Sequence, residues 1–294
     1  MVELSENPNA YWHQYGEQQT LETLKKHTPE SAGIQVTATH RPVPFSELLE
    51  KTYHALDLEG FAWKEPTIIA HGKKDPVDKD VTLFTRFKAR IPVTHPNLAP
   101  VIGRRDLPAM RTVDLSASYD KHSAAQLSFG LVMMVCSNGM VIFNPEFVSK
   151  RKQTPGLEKD QYGMIFGGVA CALLQYGYQD TRVAEMEAVE VSDDQMILAA
   201  HYMIERGVIK AAMGHKVVEE YRKGISDDAT PEQESYRDRN LWSAANAVTS
   251  LNQGHLSTRG NPFGQAKRDH HTVRILEHIV SPTPNQNIME KTWK

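Results

Sequence analysis

Two kinds of hydrophobic periodicity occupy separate parts of this chain, and their separation restricts the fold more than any motif does. Between residues 61 and 143 the apolar residues follow β-type patterns. Val81, Leu83 and Thr85 alternate with Thr82, Phe84 and Arg86, and Phe87 follows, within a run at 81–91. Alternation of this kind sends successive side chains to opposite faces of a strand. A second β-rich run lies at 67–70, and the charged, Gly- and Pro-containing stretch 71–80 between them reads as a hairpin loop. Two further apolar runs, 127–136 and 140–143, flank Ser137-Asn138-Gly139. Asn-Gly tolerates positive φ at both positions, which predicts a tight hairpin there. Residues 132–135 are continuously apolar, as in a central strand covered on both faces.

Helical spacing governs the rest. Leu48, Leu49, Thr52, Tyr53 and Leu56 predict an amphipathic helix capped by Ser46 and stopped at Gly60. Past Pro155 the spacing predicts one bent helix or two over 161–190. Another, capped by Ser192 or Asp193, should run to Arg206 before Gly207. Helices are also expected over 210–223 and 240–252, the last with Leu241, Trp242, Ala245 and Val248 on one face. The polar, acidic stretch 224–238 reads as a surface loop. Strands and helices segregated in this way imply an α+β fold, with a largely antiparallel sheet in the first half and a helical second half. Residues 1–35 read as a loose arm with a short helix near 15–26, 36–255 as a single domain, and 256–294 as an irregular tail apart from a short segment at 273–279.

At 294 residues, 40% hydrophobic and 23% charged, the chain is long enough to bury a core without disulfides. Cys136 and Cys171 stand in no metal-ligand spacing and read as reduced, buried thiols. The longest nearly apolar run, 162–174, is shorter than the roughly 20 residues a membrane span needs, so a buried core helix is expected. Residues 1–30 lack the apolar core of a secretory signal. The expected address is the cytoplasm, the host's if the chain is phage-encoded, with no membrane partner.

Charge is unevenly distributed. Residues 86–152 hold 10 Lys/Arg against 4 Asp/Glu, and 158–238 hold 8 against 16. Blocks of this kind mark a polyanion-binding surface or an internal electrostatic pairing, and the sequence leaves both open. The candidate nucleic-acid-binding residues are Arg86, Lys88 and Arg90, which share one strand face, Arg104 and Arg105 after Gly103, Arg111, Lys121, and the closing Lys150-Arg151-Lys152. Phe84, Phe87 and Tyr119 could stack on unpaired bases, but apolar spacing favours core positions for them.

Catalytic signatures are absent from the sequence. No Walker A, GxGxxG, HExxH, GxSxG or paired CxxC occurs. Neither a cofactor nor a metal is expected, and a binding role is favoured over an enzymatic one. His255, His270, His271 and His278 cluster near Asp269 and Glu277, but side chains adjacent on an extended chain, such as His270 and His271, face apart.

Several motifs keep a recognisable order: Ser118-Tyr119-Asp120-Lys121-His122-Ser123, then Gly130 and Val135-Cys136-Ser137-Asn138, then Arg151-Lys152-Gln153-Thr154, and finally Trp242, Asn246, Ala247 and Thr249. Over residues 40–255 this order resembles a family of phage- and plasmid-encoded proteins whose shared domain has no assigned activity. Tyr119 stands where that family usually has His. The resemblance implies a mobile-element origin. Together with the basic block it leads to the expectation of an accessory protein that binds nucleic acid, single-stranded DNA in recombination or replication, as a homo-oligomer. The alternatives are a host-defence antagonist using Arg104, Arg105 and Lys121 to hold an anionic nucleotide or binding a host protein, a metal-dependent nuclease using the C-terminal histidines, and a virion or scaffold component.

Overall fold

The computed structural model describes residues 16–98, 109–133, 149–223, 238–256 and 262–280. These divide into two compact units, the first reaching to Asp180 and including 262–263, the second formed by the rest. The sequence reading takes 36–255 as one domain; the division falls inside a helix.

The first unit carries the sheet. Its strands are β1 (Glu17–Gln19), β2 (Ala62–Trp63), β3 (Thr67–Lys74), β4 (Thr82–Thr94), β5 (Ala109–Ser118), β6 (Ala125–Met133) and β7 (Ser149–Arg151). All pairings are antiparallel, in the order β1-β3-β4-β5-β6-β7, with β2 paired to the end of β4. Register places Phe87 opposite Ala117, Ala89 opposite Leu115 and Ile91 opposite Val113, and then Val113 opposite Phe129 and Leu115 opposite Leu127. These residues make one continuous apolar face. Against it pack α2 (Phe45–Leu58), α3 (Pro155–Ala170) and the beginning of α4 (Ala172–Glu187), through Phe45, Leu48, Leu49, Ile165, Val169 and Tyr176. A four-residue α1 (Leu21–Leu24) precedes them. The architecture is the α+β arrangement that the periodicities imply.

Four local details differ from expectation. Helix α2 begins one residue before Ser46, and Ser46 is buried in its first turn. The Phe45 N–H is bound by the Tyr119 hydroxyl at 2.8 Å, so a cross-chain partner does the work expected of a side-chain cap. The β3–β4 loop is shorter than 71–80, because the ladder runs on to Lys74 and Thr82 across a bulge at His71/Gly72. The apolar run 162–174 is only half buried: Met164, Ile165 and Val169 enter the core, while Gly163, Gly167, Ala170 and Leu174 lie outside. Cys171, at the break between α3 and α4, is exposed rather than buried. The Asn138-Gly139 hairpin and Cys136 lie outside the described residues.

Helix α2 ends in a Schellman motif. Gly60, at φ 79°, donates to the Asp57 carbonyl and Phe61 donates to that of Leu56.

The second unit is helical. It contains α5 (Asp193–Glu205), α6 (Gly214–Lys223), α7 (Leu241–Leu256) and nearly all of α8 (Pro262–Val280). Ser192 and Gln195 form a reciprocal capping box at α5. Val217, Val218 and Tyr221 of α6 are buried, as are Leu241, Trp242, Ala245 and Val248 of α7. Arg239, at φ 52°, pairs with Asp193 and lies 4.3 Å over the Tyr221 ring, tying the entry of α7 to α5 and α6. Helix α8 replaces the expected irregular tail. Its polar first half hides the pattern, and over 271–280 Thr272, Ile275 and Leu276 are buried. Among the described residues no helix is long and apolar enough to cross a membrane.

Gly72 tests the sheet. A Cβ at this bulge would collide with the Leu83 carbonyl of the paired strand. Gly72→Ala should lower the unfolding free energy by about 1–3 kcal/mol in urea titration. A variant of unchanged stability would show that the β3–β4 pairing is not as described.

Candidate nucleic-acid interface

The basic block divides into an inner and an outer set. Arg86, Lys88 and Arg90 do share a face of β4, but that face is not open. Arg90 is 1% exposed and makes two hydrogen bonds to Asp114, directly opposite on β5: Nε to Oδ1 at 3.0 Å and Nη2 to Oδ2 at 2.9 Å. Lys88 Nζ lies 3.4 Å from the same carboxylate. Burial alone would raise the pKa of Asp114. The pull of Arg90 and Lys88, with their hydrogen bonds, outweighs it and holds the carboxyl below its ordinary value. Arg111 is also buried, paired with Asp180 at 2.6 Å and lying 5.7 Å from the centre of the Tyr176 ring. The placement of Lys88, Arg90 and Arg111 on a polyanion-facing surface is therefore corrected: they are buried against carboxylates of their own unit. Alternation places Lys88 and Arg90 on one face of β4 but says nothing of what covers it, and Arg111, opposite Val93, lies on the other face. Phe84, Phe87 and Tyr119 are core residues.

The outer set is Lys121, Lys150, Arg151 and Lys152, all exposed. Arg86 is half-buried and paired with Asp120 at 2.8 Å. Here too burial opposes ionisation, and the hydrogen bonds from Arg86, His122 N and Thr85 together with the Arg86 charge outweigh it, leaving Asp120 below the usual carboxylate range. Arg104 and Arg105 lie outside the described residues.

The outer residues stand on two segments that the fold brings together. Tyr119 to Ala124 form the β5–β6 turn, with Lys121 at φ 62°. Ser118 Oγ accepts from Ser123 N and donates to its carbonyl, and Asp120 Oδ1 accepts from His122 N. Lys150 and Arg151 belong to β7, an edge strand among the described residues, and Lys152 follows. Gln153, 5% exposed, joins the two. Its Nε2 donates to the Ser118 carbonyl at 2.9 Å, and its Oε1 accepts from Val43 N at 2.8 Å.

Val43 belongs to a third segment that the charge map does not include. Arg41 N donates to the Gln153 carbonyl at 3.2 Å. The buried His40 ring lies between both partners, Nδ1 3.1 Å from the Gln153 carbonyl and Nε2 2.7 Å from that of Tyr119. The Arg41 side chain is exposed. Three stretches distant in sequence, 40–43, 118–121 and 150–153, thus meet on a small buried amide and imidazole hub, and each presents cations to solvent. Sequence reading identifies Lys121 and Lys150–Lys152 but misses His40, Arg41 and Gln153. The one available signal for Gln153 is its place inside the Arg151-Lys152-Gln153-Thr154 motif.

The corner offers positive charge, which suits anionic oxygen acceptors. Edge-strand cations have a second use, since they also discourage pairing of one sheet with another. Trp242, Asn246 and Thr249 are buried in α7, where Asn246 Nδ2 donates to the Trp242 carbonyl and Thr249 Oγ1 to that of Asn246. They stabilise their own helix. His271 and His278 are half-buried on α8, and among the described residues no three His, Cys, Asp or Glu side chains are placed to hold a metal ion.

No family model matches the chain, and neither a curated protein nor a solved structure does.

Gln153→Ala should cost about 1–3 kcal/mol for each buried group it orphans, the Val43 N–H and the Ser118 carbonyl. Urea unfolding measures this, and a neutral variant would remove Gln153 as the joint of the corner.

Proposed function

We propose that the protein binds nucleic acid through the sugar–phosphate backbone, at the corner formed by Arg41, Lys121, Lys150, Arg151 and Lys152, as an accessory to phage or plasmid DNA replication or recombination. The observation that carries this reading is the convergence of exposed cations from three separate segments on one buried hub. Arg151 shares its charge with Asp160, at an ion pair exposed to solvent and therefore easily exchanged for a phosphate. The mobile-element setting rests on the motif resemblance, two of whose motifs, 118–123 and 151–154, meet at this corner. A phosphate-centred surface binds without reading sequence and is strongly salt-dependent. A homo-oligomer would align several such corners along one strand.

Fluorescence anisotropy of a labelled single-stranded oligonucleotide tests the reading, with duplex alongside. The K121E/K150E/K152E triple variant should lose on the order of a hundredfold in affinity at low salt. The slope of log affinity against log salt should fall by about 2, the share of three single-strand phosphate contacts. Its melting temperature should stay near that of the wild type, because all three side chains are exposed. Unchanged affinity in the triple variant, or a wild type that binds neither single strand nor duplex at low salt, would overturn the proposal.

A further inference from the structure

The His40 ring sits between two acceptors. Its Nδ1 lies 3.1 Å from the Gln153 carbonyl oxygen and its Nε2 2.7 Å from the Tyr119 carbonyl oxygen. Backbone carbonyls accept hydrogen bonds and cannot donate them. A neutral imidazole carries one N–H and one bare lone pair, so either tautomer donates to one carbonyl and turns a lone pair towards the other. Turning the ring over does not help, since both carbonyls would then face C–H groups. Only the imidazolium, with a proton on each nitrogen, satisfies both contacts. The ring is 5% exposed, so water cannot readily replace the lost partner.

The two carbonyls belong to the two segments that carry Lys121 and Lys152, and Arg41 is the next residue after His40 itself. We propose that His40 is a proton-operated clamp on the basic corner, drawing the three segments together when doubly protonated and releasing one carbonyl contact when neutral. This inference rests on the nucleic-acid reading above for its functional consequence. Protonation also adds a positive charge directly beneath the corner. Polyanion binding is thus strongest at the acid end of the histidine range and weakens as pH rises, and binding takes up a proton when it begins from the neutral ring.

Among the described residues, the charged and titratable groups near His40 include Arg41 beside it, Tyr119, Asp120, Lys121 and His122 in the β5–β6 turn, Arg86 of β4 paired to Asp120, and His27 and Glu30 on the far side of Tyr119. Beyond Gln153 lie Lys152 and Arg151, the latter paired with Asp160 of α3. The Tyr119 hydroxyl points away, to Phe45 N and the His27 carbonyl, and burial pushes its pKa above the ordinary value. Besides His40 itself, His122 and His27 belong to the residue type that ordinarily titrates between about pH 5 and 8. Burial holds the His27 ring below its ordinary value. His122 is exposed, bonded through its backbone N–H to Asp120, and serves as the control.

Two measurements on the full chain test the clamp. The first needs no nucleic acid: ring ¹H–¹⁵N correlation spectra between about pH 5.5 and 8.5, the span of histidine titration. His40 should carry protons on both nitrogens at the acid end, and loss of the second should shift the backbone amides of Arg41 and Lys121. A His40 ring with one bare nitrogen throughout overturns the clamp. The second is oligonucleotide affinity over the same range for wild type, His40→Gln and His122→Gln. Wild type and His122→Gln should weaken with rising pH, by at most about tenfold per pH unit, the limit for one linked proton. His40→Gln should be nearly flat. A pH-independent wild type whose ring titrates would overturn the coupling. So would a pH dependence abolished by His122→Gln, a comparison that stands even if His40→Gln fails to fold. If the wild type binds at no pH, the nucleic-acid reading fails, while the spectra still decide whether the clamp exists.

Discussion

Between β4 and β5 a guanidinium and a carboxylate face each other almost wholly out of water. Removing either from solvent is costly, and their mutual attraction offsets that cost only when geometry is good and remaining hydrogen-bonding capacity is used. Arg90 meets Asp114 with two parallel hydrogen bonds, and Lys88 approaches the same carboxylate diagonally from two residues along. The arrangement tolerates no slip. A shift of one residue would set Arg90 opposite Val113 or Leu115, on the apolar side of the sheet, and leave Asp114 without its partner. The apolar face that receives α2 and α3 depends on the same register, so this pair and the hydrophobic core constrain one another.

That pairing also divides the basic block into buried and exposed cations. Its ten cations look uniform in sequence, yet the fold assigns them different environments. Lys88, Arg90 and Arg111 meet carboxylates below the surface, Arg86 pairs at its margin with Asp120, and Lys121 with Lys150, Arg151 and Lys152 remain outside. The internal-pairing reading of the charge asymmetry therefore holds for Lys88, Arg90 and Arg111. The outer group owes its geometry to partners other than carboxylates. Gln153 and His40 bridge three backbone segments by hydrogen bonds, which hold position without adding a compensating negative charge.

Much of the fold was legible in the sequence because its signals are local. Alternation in 81–91 marks β4, Gly60 and Gly207 end helices at positive φ, and Ser192 with Gln195 writes a capping box. Core positions such as Leu48, Leu49 and Leu56 follow from spacing alone. What escaped depends on contacts between distant segments. The start of α2 is set by a hydroxyl on residue 119, and the burial of Arg90 by a carboxylate 24 residues away. Arg41 lies in a stretch of low charge and joins the corner through the Gln153 carbonyl. Helix α8 was missed because its first half has no apolar stripe.

A double-mutant cycle on Arg90 and Asp114, by urea unfolding of Arg90→Met, Asp114→Leu and the double variant, tests most directly whether the β4 cations are internal. Each single change should be strongly destabilising, because it leaves a buried charge without its partner. The double change should recover much of the loss, for a coupling of about 3 kcal/mol or more. Additivity within about 0.5 kcal/mol would contradict the account, since it would mean that the two charges do not meet and that the β4 face is open to a ligand.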